Sequence, residues 1–219
     1  MTGIRALLLD LDGTLADTGP DMACALNALL REYGKDELSY AEIRPWVSHG
    51  GVALTRLGFD LDPDMPSFKA FHQRFLWHYA KNVCQETRLF DGMEQVLRYC
   101  ELSGIDWGVV TNKPAFLTDP LIAKLGLSGR AACVVSGDTL EQRKPHPAPL
   151  LHGCQIIGTD PANTVYVGDA ERDIQAGRSA GVQTLVAEFG YLRTTDDPYS
   201  WGADGVVADP PAILEWLRR

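Results

Sequence analysis

Apolar residues gather in short runs at positions 4–11, 105–110, 132–135, 164–167 and 182–186, with 205–207 as a sixth. The first run is apolar at consecutive rather than alternate positions, the pattern of a strand buried on both faces in a parallel sheet. Between the runs the spacing becomes helical. Met93, Val96, Leu97 and Cys100 share one helical face, and Gly104 follows as a C-cap. Similar patterns predict helices over residues 117–125, 147–157, 172–180 and 211–217. Strands alternating with helices predict an α/β fold, a doubly wound and mainly parallel sheet with a Rossmann-like core.

Residues 17–88 break that rhythm, with no strand pattern among them. Met22, Leu26, Leu29, Leu30 and Tyr33 form one amphipathic stripe. Ser39-Tyr40-Ala41-Glu42 is a capping box that starts a second helix. Phe68, Phe71, Phe75 and Tyr79 line a long third helix and read as the core of a helical bundle rather than a cofactor box. The expected organisation is therefore an α/β catalytic core of residues 1–16 and 89–219, with residues 17–88 inserted after the first strand as an all-helical cap.

Ligands of open α/β sheets bind beyond the carboxyl ends of the strands. The first strand ends in Asp10-Leu11-Asp12-Gly13-Thr14 and the second in Thr111-Asn112-Lys113. Lys144-Pro145 follows the third, and Gly168-Asp169 ends the fourth, with Asp173 one helical turn on. Four strands thus deliver polar groups to one edge. Asp10, Asp12 and Asp169 brought together would repel one another unless a cation intervened. Oxygen donors of this kind suit Mg²⁺, with Asp10 and Asp169 as ligands. A held phosphate could then be attacked by one carboxylate while the other moves protons. In an extended chain Asp10 and Asp12 share a face. Gly13 permits a sharp turn near the anion. Thr111 can hydrogen-bond the phosphoryl oxygens, and Asn112 and Lys113 adjoin it.

Composition narrows the partners. The net charge is −9 and the pI about 5.0, which disfavours nucleic acid and anionic membrane. An anionic substrate needs local positive charge, which Lys144 and the metal would supply. The five cysteines form no CxxC pair and read as buried, reduced thiols. No signal-peptide pattern opens the sequence, and the run at 4–11 contains Arg5 and Asp10 and is too short to span a bilayer. The expectation is a soluble, cytoplasmic protein, monomer or homodimer.

The motifs Asp10-Leu11-Asp12-Gly13-Thr14, Thr111, Lys144-Pro145 and Gly168-Asp169 with Asp173 resemble those of the haloacid dehalogenase-like superfamily, in its phosphatase branch. The helical insertion resembles the cap of one large subgroup. The resemblance implies Asp10 as nucleophile and Asp12 as general acid/base. It implies Thr111 and Lys144 as phosphate binders and Asp169 as a metal ligand. Asp173 would support the metal site, and the backbone carbonyl of Asp12 would join the metal's ligands.

The Asp-Gly-Thr-Leu-Ala-Asp-Thr and Thr-Asn-Lys-Pro stretches and Phe189-Gly190-Tyr191 are similar to phosphoglycolate phosphatases. Residues 108–114 and Trp201-Gly202-Ala203-Asp204 are also similar to N-acetylmuramic acid 6-phosphate phosphatases. A small phosphorylated metabolite is the expected substrate. A sugar phosphomutase of the same superfamily and a catalytically silent binding protein are the alternatives. Asp12 argues against a dehalogenase. His49, in the loop Ser48-His49-Gly50-Gly51, and Arg56 are the cap candidates for substrate preference, each against the plainer reading of a solvated surface residue.

Overall fold

Residues 6–9 are four consecutive aliphatic or alanine side chains, stable as a strand only with both faces covered. In the computed structural model, which describes residues 3–218, every one is fully buried. Residues 1–2 and 219, which the sequence assigns to the core, lie outside the described residues. Along the chain the elements are β1 (Ala6–Leu9), β2 (Ala16–Asp17), α1 (Gly19–Glu32), α2 (Tyr40–Ile43), a 3-10 strap (Arg44–His49), α3 (Gly50–Phe59), α4 (Phe68–Lys81), β3 (Arg88–Leu89), α5 (Met93–Ser103), β4 (Asp106–Val110), α6 (Ala115–Lys124), β5 (Cys133–Val135), α7 (Ala148–Ile157), β6 (Thr164–Gly168), α8 (Glu171–Ala180), β7 (Gln183–Ala187), β8 (Gly205–Val207) and α9 (Ile213–Leu217).

The main sheet runs β5-β4-β1-β6-β7-β8, and every pairing is parallel. β1 lies between β4 and β6, with Leu9 opposite both Val109 and Val167. That register puts the residues just past the three strands side by side. Leu8, Val110, Cys133 and Tyr166 pack on one face of the sheet with Leu150 and Cys154 of α7 and Ala176 of α8. Leu7, Leu9, Val109 and Val165 face the other way, into a core shared with α5, α6, α9 and the inserted helices. Alternate side chains of each strand therefore feed opposite layers.

The inserted helices form for the reasons the sequence supplies. Pro20 and Asp21 open α1, Arg31 lies in its last turn, and Met22, Leu26, Leu29 and Leu30 are buried. Tyr33 falls just past the helix and is half exposed, so the stripe ends one position early. The Ser39–Glu42 capping box is present at α2. Phe68, Phe75 and Tyr79 of α4 are buried, with Phe71 packed at the margin.

Three local expectations differ. The first strand is shorter than residues 4–11, because Leu15 N–H donates to the Asp10 carbonyl and turns the chain. The ends of the insertion do carry strand, since β2 and β3 pair antiparallel at its neck. Two residues are too few to show a period. Cys24 is exposed and Cys84 half-buried, against the expectation of buried thiols. Among the described residues no helix is long and apolar enough to cross a membrane.

Candidate active site

The order β4-β1-β6 brings Thr111, Asp10 and Asp169 together from three distant parts of the chain. Asp10 leaves β1 almost wholly buried. Its Oδ1 accepts from its neighbour's amide, Leu11 N–H, at 2.8 Å and lies 2.9 Å from Lys144 Nζ. Gly13 turns the chain back at φ +82°, and a Cβ there would meet Asp169 Oδ2 at 2.0 Å, so any side chain would displace the carboxylate. Asp10 and Asp12 reach one cavity across this turn, rather than along an extended strand as the sequence suggests.

Asp12 is held on one side by Lys113 Nζ at 2.8 Å and on the other by the Thr18 hydroxyl, which donates at 2.6 Å. Burial alone would lower the pKa of Lys113, but Asp12 beside it raises it above the ordinary lysine value. Lys144 is fully buried and bridges Asp10 and Asp173, at 2.9 and 2.8 Å. Its ammonium also donates to the Tyr166 hydroxyl and the Val110 carbonyl. The Thr111 hydroxyl accepts from Lys113 N–H at 3.2 Å. Asn112 lines the cavity, but its amide donates to the Lys144 carbonyl at 2.9 Å and accepts from Lys144 N–H at 3.1 Å. That side chain ties the strand end to the lysine loop, at the cavity wall beside Thr111.

Asp10, Asp169 and Asp173 form a buried cluster whose nearest oxygens lie within 4.8 Å of one another. Asp12 belongs to the cavity wall and not to this cluster. Asp169 Oδ2 accepts from Tyr191 N–H at 2.8 Å and from the Ser48 hydroxyl, while Oδ1 is buried without a hydrogen-bond partner. Burial, then Asp10 and Asp173, push Asp169 up to about 7. Burial also raises Asp10 despite the opposing effect of Lys144. Burial would raise Asp173 as well, but Lys144 and Arg172 together hold it below the usual carboxylate value. Four carboxylates thus face three cations, Lys113, Lys144 and Arg172. The excess negative charge and the orphaned Asp169 oxygen are what a hard divalent cation would satisfy, so the donor set fits Mg²⁺.

The cavity measures about 640 Å³. Asp10, Asp12, Thr111 and Lys144 lie on its core side, and Met22, Val52, Phe75, Leu76 and Leu117 give it an apolar wall. His49 lines it, and burial lowers the pKa of that imidazole. Arg56 does not line it. It pairs with Asp62 at 2.7 Å, both side chains more than half exposed, because it sits one helical turn beyond Val52, ~6 Å further along α3. The sequence reading missed Arg172, Ser48 and Tyr191. Arg172 had a signal, since it lies between two identified acids in the first turn of a predicted helix. Tyr191 contributes its backbone amide to Asp169, which no side-chain pattern announces.

Fold and site together define an α/β enzyme whose acid-and-lysine centre lies beneath a helical insertion. The model of haloacid dehalogenase-like hydrolases matches residues 7–187. A phosphoglycolate phosphatase of Xanthomonas campestris pv. campestris is 44% identical over 211 residues, covering 96% of this chain and 95% of its own. An N-acetylmuramic acid 6-phosphate phosphatase of Pseudomonas putida is 39% identical over 207 residues, covering 94% and 93%. The crystal structure of a predicted phosphoglycolate phosphatase from Haemophilus somnus superposes with a TM-score of 0.86 at 28% identity, over 98% of both chains. The chain belongs to the haloacid dehalogenase-like hydrolases, as an enzyme that hydrolyses phosphoric monoesters.

Proposed function

We propose that this enzyme is a Mg²⁺-dependent phosphatase of a small phosphorylated metabolite, working in the cytoplasm through a phosphorylated Asp10. In this reading residues 17–88 are a cap over a core of residues 1–16 and 89–219. The observation that carries it is the opening of Asp10 and Asp12 on one cavity beside Lys144, with the partnerless Asp169 oxygen buried next to them.

Asp10 and Asp169, with the backbone carbonyl of Asp12, would hold the metal, and Asp173 would support them by anchoring Lys144. When bound, Mg²⁺ neutralises phosphate charge that the acidic protein otherwise repels. Lys144 and Thr111 bind the phosphoryl oxygens. A carboxylate oxygen of Asp10 attacks phosphorus as the bond to the leaving oxygen breaks. Asp12 gives that oxygen its proton, then takes one from water as the water attacks the aspartyl-phosphate. Inorganic phosphate leaves and Asp10 is restored. Lys113 and Thr18 hold the Asp12 carboxylate in place through both steps.

Phosphoglycolate is the first candidate substrate. N-acetylmuramic acid 6-phosphate is a second, favoured by the size of the cavity and its apolar wall, which a two-carbon acid would leave largely empty. The test is turnover of p-nitrophenyl phosphate after EDTA and after Mg²⁺ is restored, followed by kcat/KM for both metabolites. Full activity after exhaustive chelation would overturn the metal reading. Turnover of neither metabolite would overturn the substrate assignment.

A further inference from the structure

Asp169 is contacted from two directions. Tyr191 N–H, from the core, and the Ser48 hydroxyl, from the strap, both donate to Oδ2, and this leaves Oδ1 buried and free. Two glycines also press on it. A Cβ at Gly13 would meet Asp169 Oδ2 at 2.0 Å, and one at Gly190 would meet Asp169 Cβ at 2.4 Å. With the strap in place the carboxylate therefore has little room to turn, and Ser48 contacts it from the inserted segment. Among the described residues, no other side chain of that segment bonds a member of the Asp10–Asp169–Asp173 cluster.

The strap is itself fastened to the core. Arg172 donates to the Ser48 carbonyl at 2.5 Å. Arg44 donates to the Phe189 and Gly190 carbonyls at 3.2 and 2.9 Å. Ser48, His49 and Arg172 line both the active-site cavity and a second cavity of about 270 Å³, into which Asp169 faces. Ser48 thus stands in the partition between the two.

We propose that Ser48 is a positioning residue. By occupying Oδ2 of Asp169 it presents Oδ1 to the metal, so docking of the strap and binding of Mg²⁺ strengthen each other. This rests on the metal-dependent reading above. The physical basis is that hydrogen bonds behind a ligand fix its orientation and that coupling between two binding events is reciprocal. Lifting the strap removes a donor from Asp169 and frees its carboxylate to rotate. Mg²⁺ held by the oriented carboxylate in turn favours the docked strap.

The test titrates Mg²⁺ alone, without substrate, into the full chain by calorimetry, and follows hydrogen exchange of the strap amides. Ser48→Ala is expected to bind Mg²⁺ about tenfold or more weakly, with Ser48→Thr restoring affinity to within about twofold. Mg²⁺ should slow exchange of the strap in the wild type and in Ser48→Thr, and leave it unchanged in Ser48→Ala. Equal or tighter binding by Ser48→Ala, or a wild-type strap indifferent to Mg²⁺, overturns the coupling and leaves the phosphatase reading standing. A wild-type chain that takes up no Mg²⁺ without substrate also overturns the coupling, whereas the metal-dependent reading falls only to full activity after chelation. A purely structural role for Ser48 would lower the melting temperature of the metal-free protein without producing the affinity difference.

Discussion

Lys113 Nζ lies 2.8 Å from Oδ1 and 3.1 Å from Oδ2 of Asp12, across 101 residues of sequence. The Tyr79 ring of the inserted helices covers the same ammonium at 4.5 Å. The acid proposed to move protons is thus fixed by a core cation, and the inserted helices cover that cation.

Asp12→Asn preserves size but cannot donate or accept the catalytic proton. General acid/base help is worth about 10²–10⁴-fold in rate, so a loss of that order is expected with an alkyl phosphate. An aryl phosphate leaves more easily, and its phosphoenzyme should accumulate because water lacks a base. Rapid-quench labelling measures this. Equal, small losses on both substrates with no trapped phosphoenzyme would remove Asp12 from the acid/base role.

Asp10→Asn should reduce turnover of p-nitrophenyl phosphate by about 10³-fold or more, as loss of a nucleophile does elsewhere. The fold should persist. Lys144 keeps Asp173 at 2.8 Å, with the Tyr166 hydroxyl and the Val110 carbonyl, so no buried charge is stranded. Retention of more than a small fraction of activity in the folded variant would exclude Asp10 as the nucleophile.

In the metal-free protein the contribution of Asp169 to stability should fall as pH rises from about 4 towards 7. Asp169 is held at about 7 by burial, then by Asp10 and Asp173, above its unfolded value of 3.8. Between those limits the unfolded chain is ionised while the folded one keeps a proton, so the folded state binds more protons and stability falls with pH. Asp10 is shifted in the same direction. Asp169→Asn has no proton to hold. The melting-temperature difference between wild type and this variant should therefore change across that window and level off above it. A difference independent of pH would show that Asp169 does not titrate there.

His49→Ala should lower kcat/KM for the natural substrate more than for p-nitrophenyl phosphate, because His49 lines the cavity away from the strand ends. Arg56→Ala should change neither, because its guanidinium pairs with Asp62 on the surface and exposed pairs contribute little. A specificity change in Arg56→Ala would mean that the arginine swings inward in solution.

Asp21 anchors the inserted helices. Its buried carboxylate accepts from the amides of Gln85, Glu86 and Thr87 at 3.0, 2.9 and 3.0 Å, and from the Thr87 hydroxyl at 2.6 Å. Asp21→Ala would leave these donors unpaired, with an expected loss of roughly 3 kcal/mol and about 6–12 °C in melting temperature. Thermal and denaturant unfolding would measure it, and a shift of less than a degree would contradict it.

Much of this was present in the sequence. The aliphatic run at β1, the helical faces between strands and the change of period in residues 17–88 reflect local geometry, so they can be read residue by residue. The acids and the lysine at the strand ends were legible too, because a parallel sheet puts the ends of its strands on one edge whatever the order of the strands. The strand order β4-β1-β6, which makes neighbours of Asp10, Thr111 and Asp169, was decided only by tertiary packing. So were the turn of Asn112 towards Lys144 and the pairing of Arg56 with Asp62. Helical phase and distance along the axis determine which cap residues reach the cavity, and a loop's neighbours are fixed by where it lands. Ser48 and Tyr191 meet on Oδ2 of Asp169 because three separate chain segments close on one carboxylate. Such a meeting has no period and no local signature, and its energy exists only once the burial that removes water from Asp169 is complete.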